Sequence, residues 1–153
     1  MSMTAHEYLW QALNMQTRLD ALQERRRRYE DLATSATAHY RSGPGGTRRV
    51  SSVEEYAVKM ADLSEEMQIR ANIYADALKE IEAAIDAVPN QTHRDLLRYR
   101  YLNGWRWRKI GKAMHYSQDY LYQMHRRAVQ AVQVPADAEP VESIVRRVLK
   151  DRR

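Results

Sequence analysis

An all-α fold is the expectation from this 153-residue sequence, and two observations predict it. Glycine (5) and proline (4) are scarce, and three of the glycines share one cluster, so long stretches hold nothing that interrupts a helix. Apolar residues recur three and four apart from Tyr8 to Val88, the period of one helical face. The length suits one domain with a real core, with room for a small second module. Cysteine is absent, which excludes a disulfide framework or a thiolate metal site. No apolar run reaches membrane-spanning length, and polar and charged groups pepper the first twenty residues, so neither a membrane partner nor a secretory signal is expected and a cytoplasmic location is.

The first apolar stripe is Tyr8, Ala12, Met15, Leu19 and Leu22, then Tyr29, Ala33 and Ala36 after Arg26 takes one seam position. It predicts a long helix over about 4–38. Residues 39–51 contain Ser42-Gly43-Pro44-Gly45-Gly46 and are expected to form a loop. Ser52 and Glu55 have the spacing of a capping box, in which hydroxyl and carboxylate satisfy backbone amides at a helix start. A second helix over 52–88 would then carry Tyr56, Met60, Leu63, Met67, Tyr74, Leu78, Ile81, Ile85 and Val88 before Pro89 stops it. Two such helices, each about 50 Å long at 1.5 Å per residue, predict an antiparallel helical hairpin over 1–89. A fold-back near residue 45 sets Arg25–Arg28 against Asp62, Glu65 and Glu66 as an interhelical salt-bridge band; the alternative is a nucleic-acid patch.

Beyond Pro89 the pattern shortens. Thr92 is a candidate cap for a helix through about Leu102, which Asn103-Gly104 ends with a left-handed residue. Trp107 to Met114 forms a second short helix, His115-Tyr116 a turn, and Ser117 caps a third helix to about Val132. Pro135 and Pro140 bracket a linker, and Val141 to Lys150 reads as a short amphipathic C-terminal helix within 133–153.

Charge is distributed unevenly. Residues 90–132 hold nine basic side chains against two acids, or +7, while residues 1–89 carry −3 and residues 133–153 carry +1. A concentrated basic module beside a mildly acidic one points to a polyanion reader joined to something else. Three short helices with tight turns, the last one polar and basic on its exposed face, describe a helix-turn-helix over 90–132.

The residues here also resemble a family. The run from Leu96 to Val132 looks like region four of bacterial sigma factors: Leu97-Arg98-Tyr99, then Gly104, then Ile110-Gly111, then Ser117 followed by Leu121, Met124, Ala128, Val129 and Val132. With a long helical hairpin ahead of it, it is more specifically similar to phage-encoded sigma-like regulators of the ArpU and RinA late-activator type. Arg106 stands where that pattern favours a Ser or Thr cap, Arg108 and Lys109 replace an acidic pair, and the His115-Tyr116 turn lacks glycine. The resemblance implies a sequence-specific, DNA-binding transcriptional regulator encoded by a phage or prophage.

In the third helix Leu121, Met124, Ala128 and Val132 should face the core, leaving Gln118, Asp119, Tyr120, Tyr122, Gln123 and Arg126 to face bases. Gln and Arg can each make two hydrogen bonds to a purine edge, Gln to adenine and Arg to guanine. Asp119 either accepts from a cytosine amine or favours the helix start. Arg106, Arg108, Lys109, Lys112, Ser117 and Arg127 are the candidate phosphate contacts.

Trp105 and Trp107 could stack on bases, but beside Ile110 and Met114 they read as core. His6, His39, His93, His115 and His125 include no helical i, i+4 pair, so no metal is expected, and no cofactor. Gly43-Pro44-Gly45-Gly46-Thr47 lacks the Lys-Ser/Thr of a phosphate loop, and no nucleophile, base and orienter grouping is visible, so no enzyme is expected. The expected partners are double-stranded DNA and, through the hairpin, a second copy or host RNA polymerase. Two other classes compete: a phage DNA-packaging component resembling a small terminase subunit, distinguished by ring stoichiometry, and a protein-binding adaptor, distinguished by absent DNA affinity.

Overall fold

The computed structural model describes residues 3–42 and 47–152, with side chains described over 3–36 and 52–152. Every regular element among them is helical: α1 (Ala5–Ser42), α2 (Thr47–Asp86), α3 (Gln91–Leu97) continued by a π-helical turn (Arg98–Leu102), α4 (Trp107–Met114), α5 (Gln118–Gln130) and α6 (Val141–Asp151). No helix among the described residues is long and apolar enough to cross a membrane.

Against expected bounds of 4–38 and 52–88, α1 runs on at its C-terminal end to Ser42, and α2 starts five residues early at Thr47 and ends two residues early at Asp86. The helix start falls at Thr47, so Ser52 and Glu55 lie inside α2 and the expected capping box there does not form. Thr-Arg-Arg-Val-Ser contains no breaker, and nothing prevents the helix from running back through it. The expected 39–51 loop shrinks accordingly, and its glycine cluster lies outside the described residues. A capping box forms instead at the start of α1, where Thr4 Oγ1 accepts from the Glu7 amide (3.1 Å) and Glu7 Oε2 from the Thr4 amide (3.2 Å).

The chain divides into two compact units, one comprising Met1–Gln16 with Ile73–Arg153 and the other Thr17–Asn72. In Thr17–Asn72 only Leu22 and Ile69 are fully buried among the described residues. The rest of the apolar stripe, from Leu19 through Tyr29 and Ala33 and from Tyr56 through Met67, is half-buried. Arg26 Nε donates to Ser64 Oγ at 2.8 Å, and the Tyr29 and Tyr56 rings meet at 6.1 Å. The expected arginine–acid band takes other partners: Arg27 pairs with Glu24 on its own helix, and Glu66 with Arg70 one turn along. Short i, i+3 and i, i+4 pairs ask for less side-chain ordering than reaching across to another helix.

The other unit is better packed. Tyr8, Leu9, Ala12 and Met15 of α1 are buried, as are Tyr74, Ile81 and Ile85 of α2 and Val88 beyond it. α6 docks firmly: Val141 and Val145 are buried, Gln11 Oε1 accepts from the Val141 amide (2.8 Å), and the Tyr74 hydroxyl donates to Glu142 (2.7 Å). Pro140 has no side chain able to cap α6, so Gln11 supplies the acceptor from a helix 130 residues away in sequence. The short helices form a core of Leu96, Ile110, Leu121 and Met124, against which Tyr99, Trp105, Trp107 and Met114 pack. Both tryptophans therefore take the core role expected of them.

Candidate nucleic-acid interface

α3 is capped by Asn90, whose Oδ1 accepts from the His93 amide at 3.1 Å, and not by the expected Thr92, which falls one residue inside the helix. Both residue types cap well, and the chain emerging from Pro89 selects the earlier one. The helix continues through the π turn to Leu102, and Gly104 at φ 71° reverses the chain, as the Asn-Gly pair suggests. Trp105 then stacks on Tyr99 with centroids 4.6 Å apart and planes 6° from parallel.

α4 is flanked by Arg106 at its N-cap, which makes no side-chain cap, and by His115 at its C-cap, held left-handed at φ 61° where no glycine is present. Gly111 is what lets the next segment approach. A Cβ built there would lie 3.0 Å from the Tyr116 carbonyl oxygen and 3.4 Å from Leu121 Cδ1. Ser117 Oγ accepts from the Tyr120 amide at 3.2 Å and starts α5 as its residue type predicts.

α5 buries Leu121, Met124 and Ala128, with Val132 buried just beyond it. Gln118, Asp119, Tyr120, Tyr122, Gln123, Arg126 and Arg127 are all exposed. At about 100° per residue, Asp119, Gln123 and Arg126 fall on the line opposite the buried one. Tyr122 lies on the α4 flank, edge-on to Trp107 at 5.4 Å. Tyr120 lies on the other flank, 4.8 Å from the Tyr116 ring. There Tyr116, Tyr120, Gln123 and Arg127 line a cleft with Asn90, Thr92 and His93, and no carboxylate lines it. Asn90, Thr92, His93 and Tyr116 carry no nucleic-acid signal in the sequence, where Thr92 reads as a cap, Tyr116 as part of a turn and His93 as an isolated histidine.

The basic residues separate into two groups. Arg94 donates to the Val88 and Pro89 carbonyls (2.7 and 3.0 Å), Arg98 pairs with Asp86 and Asp95, and Arg100 donates to the Trp105 carbonyl (3.1 Å). These three serve the fold. Lys109 is exposed, but its ammonium sits 4.3 Å above the Trp105 ring. Arg106, Arg108, Lys112, Arg126 and Arg127 are exposed and make no ion pair among the described residues. Ser117, also a candidate phosphate contact, has its hydroxyl engaged as the α5 cap.

Behind the exposed face, His125 is half-buried between Tyr101 and Trp107. Burial, aided by His6 and Arg100, pushes its imidazole down to about 4, while burial pushes the Tyr101 phenol up to about 12. Both are neutral at ordinary pH, so neither adds charge beneath α5. No grouping of three or more potential metal-ligating side chains occurs among the described residues. Compared with protein-family models, curated proteins and solved structures, the chain finds no match.

Proposed function

We propose that this protein is a sequence-specific, double-stranded-DNA-binding transcriptional regulator, similar to sigma region four and encoded by a phage or prophage, acting in the bacterial cytoplasm. In this reading α4 and α5 are the two arms of a helix-turn-helix, with α5 as the reading helix in the major groove. The observation that carries it is that Gln123 and Arg126 lie on the exposed line of α5, while Arg106, Arg108 and Lys112 at α4 and Arg127 on α5 are exposed and make no ion pair among the described residues. Carboxamide and guanidinium groups read purine edges, while Arg106, Arg108, Lys112 and Arg127 hold phosphates. Gly111 supports the same reading by admitting the turn close against α4.

In the same reading the two long helices form an antiparallel hairpin, and the sparsely buried Thr17–Asn72 part serves self-association or contact with RNA polymerase. Binding rather than catalysis is the role. The test is selection of bound sequences from randomised duplexes by the full chain, followed by titration on the enriched duplex and a scrambled one, with mass measured in solution. A defined motif bound by a monomer or dimer supports the regulator. A ring of eight or more subunits would assign the chain to DNA packaging, and absence of duplex affinity would assign it to protein adaptation; either overturns the proposal.

A further inference from the structure

On Met1–Gln16 with Ile73–Arg153, α1, α2, the 137–139 linker and α6 enclose a second cleft whose chemistry is opposite to that beside α5. Its floor is apolar, with Ala77, Ile81, Val141 and Ile144, and its carboxylates are Glu80, Asp137 and Glu139. Glu139 is already neutralised by Arg147 through two contacts of 2.9 and 3.3 Å. Glu80 and Asp137 make no ion pair among the described residues. Tyr8 also lines the cleft; it is 3% exposed, and its hydroxyl finds no hydrogen-bond partner. A buried polar atom left without a partner is rare enough to require a reason. Burial first, and then the Glu80 and Asp137 carboxylates, hold this phenol above its ordinary range, which locates its oxygen in their field.

We propose that this cleft is a binding site for a primary alkylammonium group, its methylenes lying on Ile81 and Ile144 and its nitrogen shared by Glu80, Asp137 and the Tyr8 oxygen. Three features select that ligand class. Two uncompensated carboxylates call for a cation, and the apolar floor calls for an aliphatic stem rather than a bare hydrated ion. The cavity volume of about 200 Å³ is smaller than the roughly 300–1,000 Å³ of sites that take whole drug-sized molecules, so it accommodates the end of one chain. An ammonium N–H would also give the orphaned phenol oxygen the partner it lacks. A lysine side chain of a protein partner and a free polyamine share this chemistry. The site is independent of the DNA reading and stands or falls separately from it.

The test uses the full chain with labelled isoleucine methyl groups, titrated by NMR with n-butylammonium chloride and, as the neutral isostere, n-butanol. Saturable shifts at Ile81 and Ile144 with the ammonium and not the alcohol are expected, in the millimolar range. Glu80→Gln with Asp137→Asn exchanges two exposed side chains for isosteres and should abolish the response. Tyr8→Phe, which keeps the ring packing, should weaken it by about threefold to tenfold. Parallel titrations with an N-acetyl-lysine amide and with spermidine assign the source, the tighter binder marking it. Equal response to butanol, an unchanged response in the double variant, or no saturable shift overturns the proposal.

Discussion

The Tyr101 hydroxyl lies 2.7 Å from His125 Nε2, joining the end of the π turn to the middle of α5 behind its exposed face. The groups facing this pair are His6, Arg100 and the Trp107 ring, and the imidazole titrates near 4 in the folded chain against 6.5 when exposed. Between those values the unfolded chain binds the extra proton, so this contribution to stability is complete above about pH 6.5 and is lost as the pH falls toward 4. Tyr101 acts at the other end, losing its contribution as the pH rises from 10 toward 12. Urea midpoints measured from pH 4 to 7 should fall less steeply on acidification in His125→Gln than in the parent chain. Parallel slopes would show that His125 is not held neutral.

Gly111 should resist substitution although it lies within a helix. Ordinarily Gly→Ala in a helix stabilises by about 0.5–1 kcal/mol. Here the new methyl group would meet the Tyr116 carbonyl oxygen at 3.0 Å. Gly111→Ala should therefore gain nothing, and Gly111→Val should cost about 1–3 kcal/mol through overpacking. Chemical denaturation of both variants decides it. A stabilised Gly111→Val would mean that the turn does not approach α4 as described.

Reading and positioning should separate by mutation. Gln123→Ala and Arg126→Ala should each cost about 1–3 kcal/mol on the preferred duplex and little on a scrambled one. Lys112→Ala should weaken both duplexes alike and reduce the log-log salt slope by about one. Lys109→Ala, whose ammonium is held over Trp105, should affect DNA binding less than Lys112→Ala. Titrations of the four variants on both duplexes check this. Equal losses everywhere would remove α5 as the reading helix.

With roughly four phosphates neutralised by Arg106, Arg108, Lys112 and Arg127, the log affinity should fall with log salt at a slope of about −3 to −4. Affinity measured from 50 to 300 mM salt gives the slope directly. A flat profile would contradict phosphate contact by these cations.

Replacing Arg25 to Arg28 with Gln should lower stability modestly, since Arg26 reaches Ser64 and Arg27 pairs with an exposed Glu24 on its own helix. Duplex affinity should change less than about twofold if these residues serve the long helices alone. A tenfold loss in a folded variant would identify them as DNA contacts.

What the amino-acid sequence determined by itself is local. Helical periodicity placed Tyr8, Ala12, Met15 and Leu22 on a buried line and did the same for Leu121, Met124 and Ala128, because a 3.6-residue period commits each side chain to a face before any partner is present. The Ser117 cap and the left-handed Gly104 were equally legible, since both satisfy the backbone within a few residues. The tertiary structure alone decided which charges are spent and which remain. Arg94, Arg98 and Arg100 look like Arg106 and Arg108 in sequence, yet carbonyls and carboxylates brought near by folding engage the first three. It also decided that Gln11 caps α6, that Asn90 rather than Thr92 starts α3, and that Thr92 and His93 come to line a cleft with Arg127. The Gln11 cap and the cleft join residues far apart in the chain, and even the shorter-range choices depend on which desolvated group needs a partner where the helices meet, a quantity that no periodicity encodes.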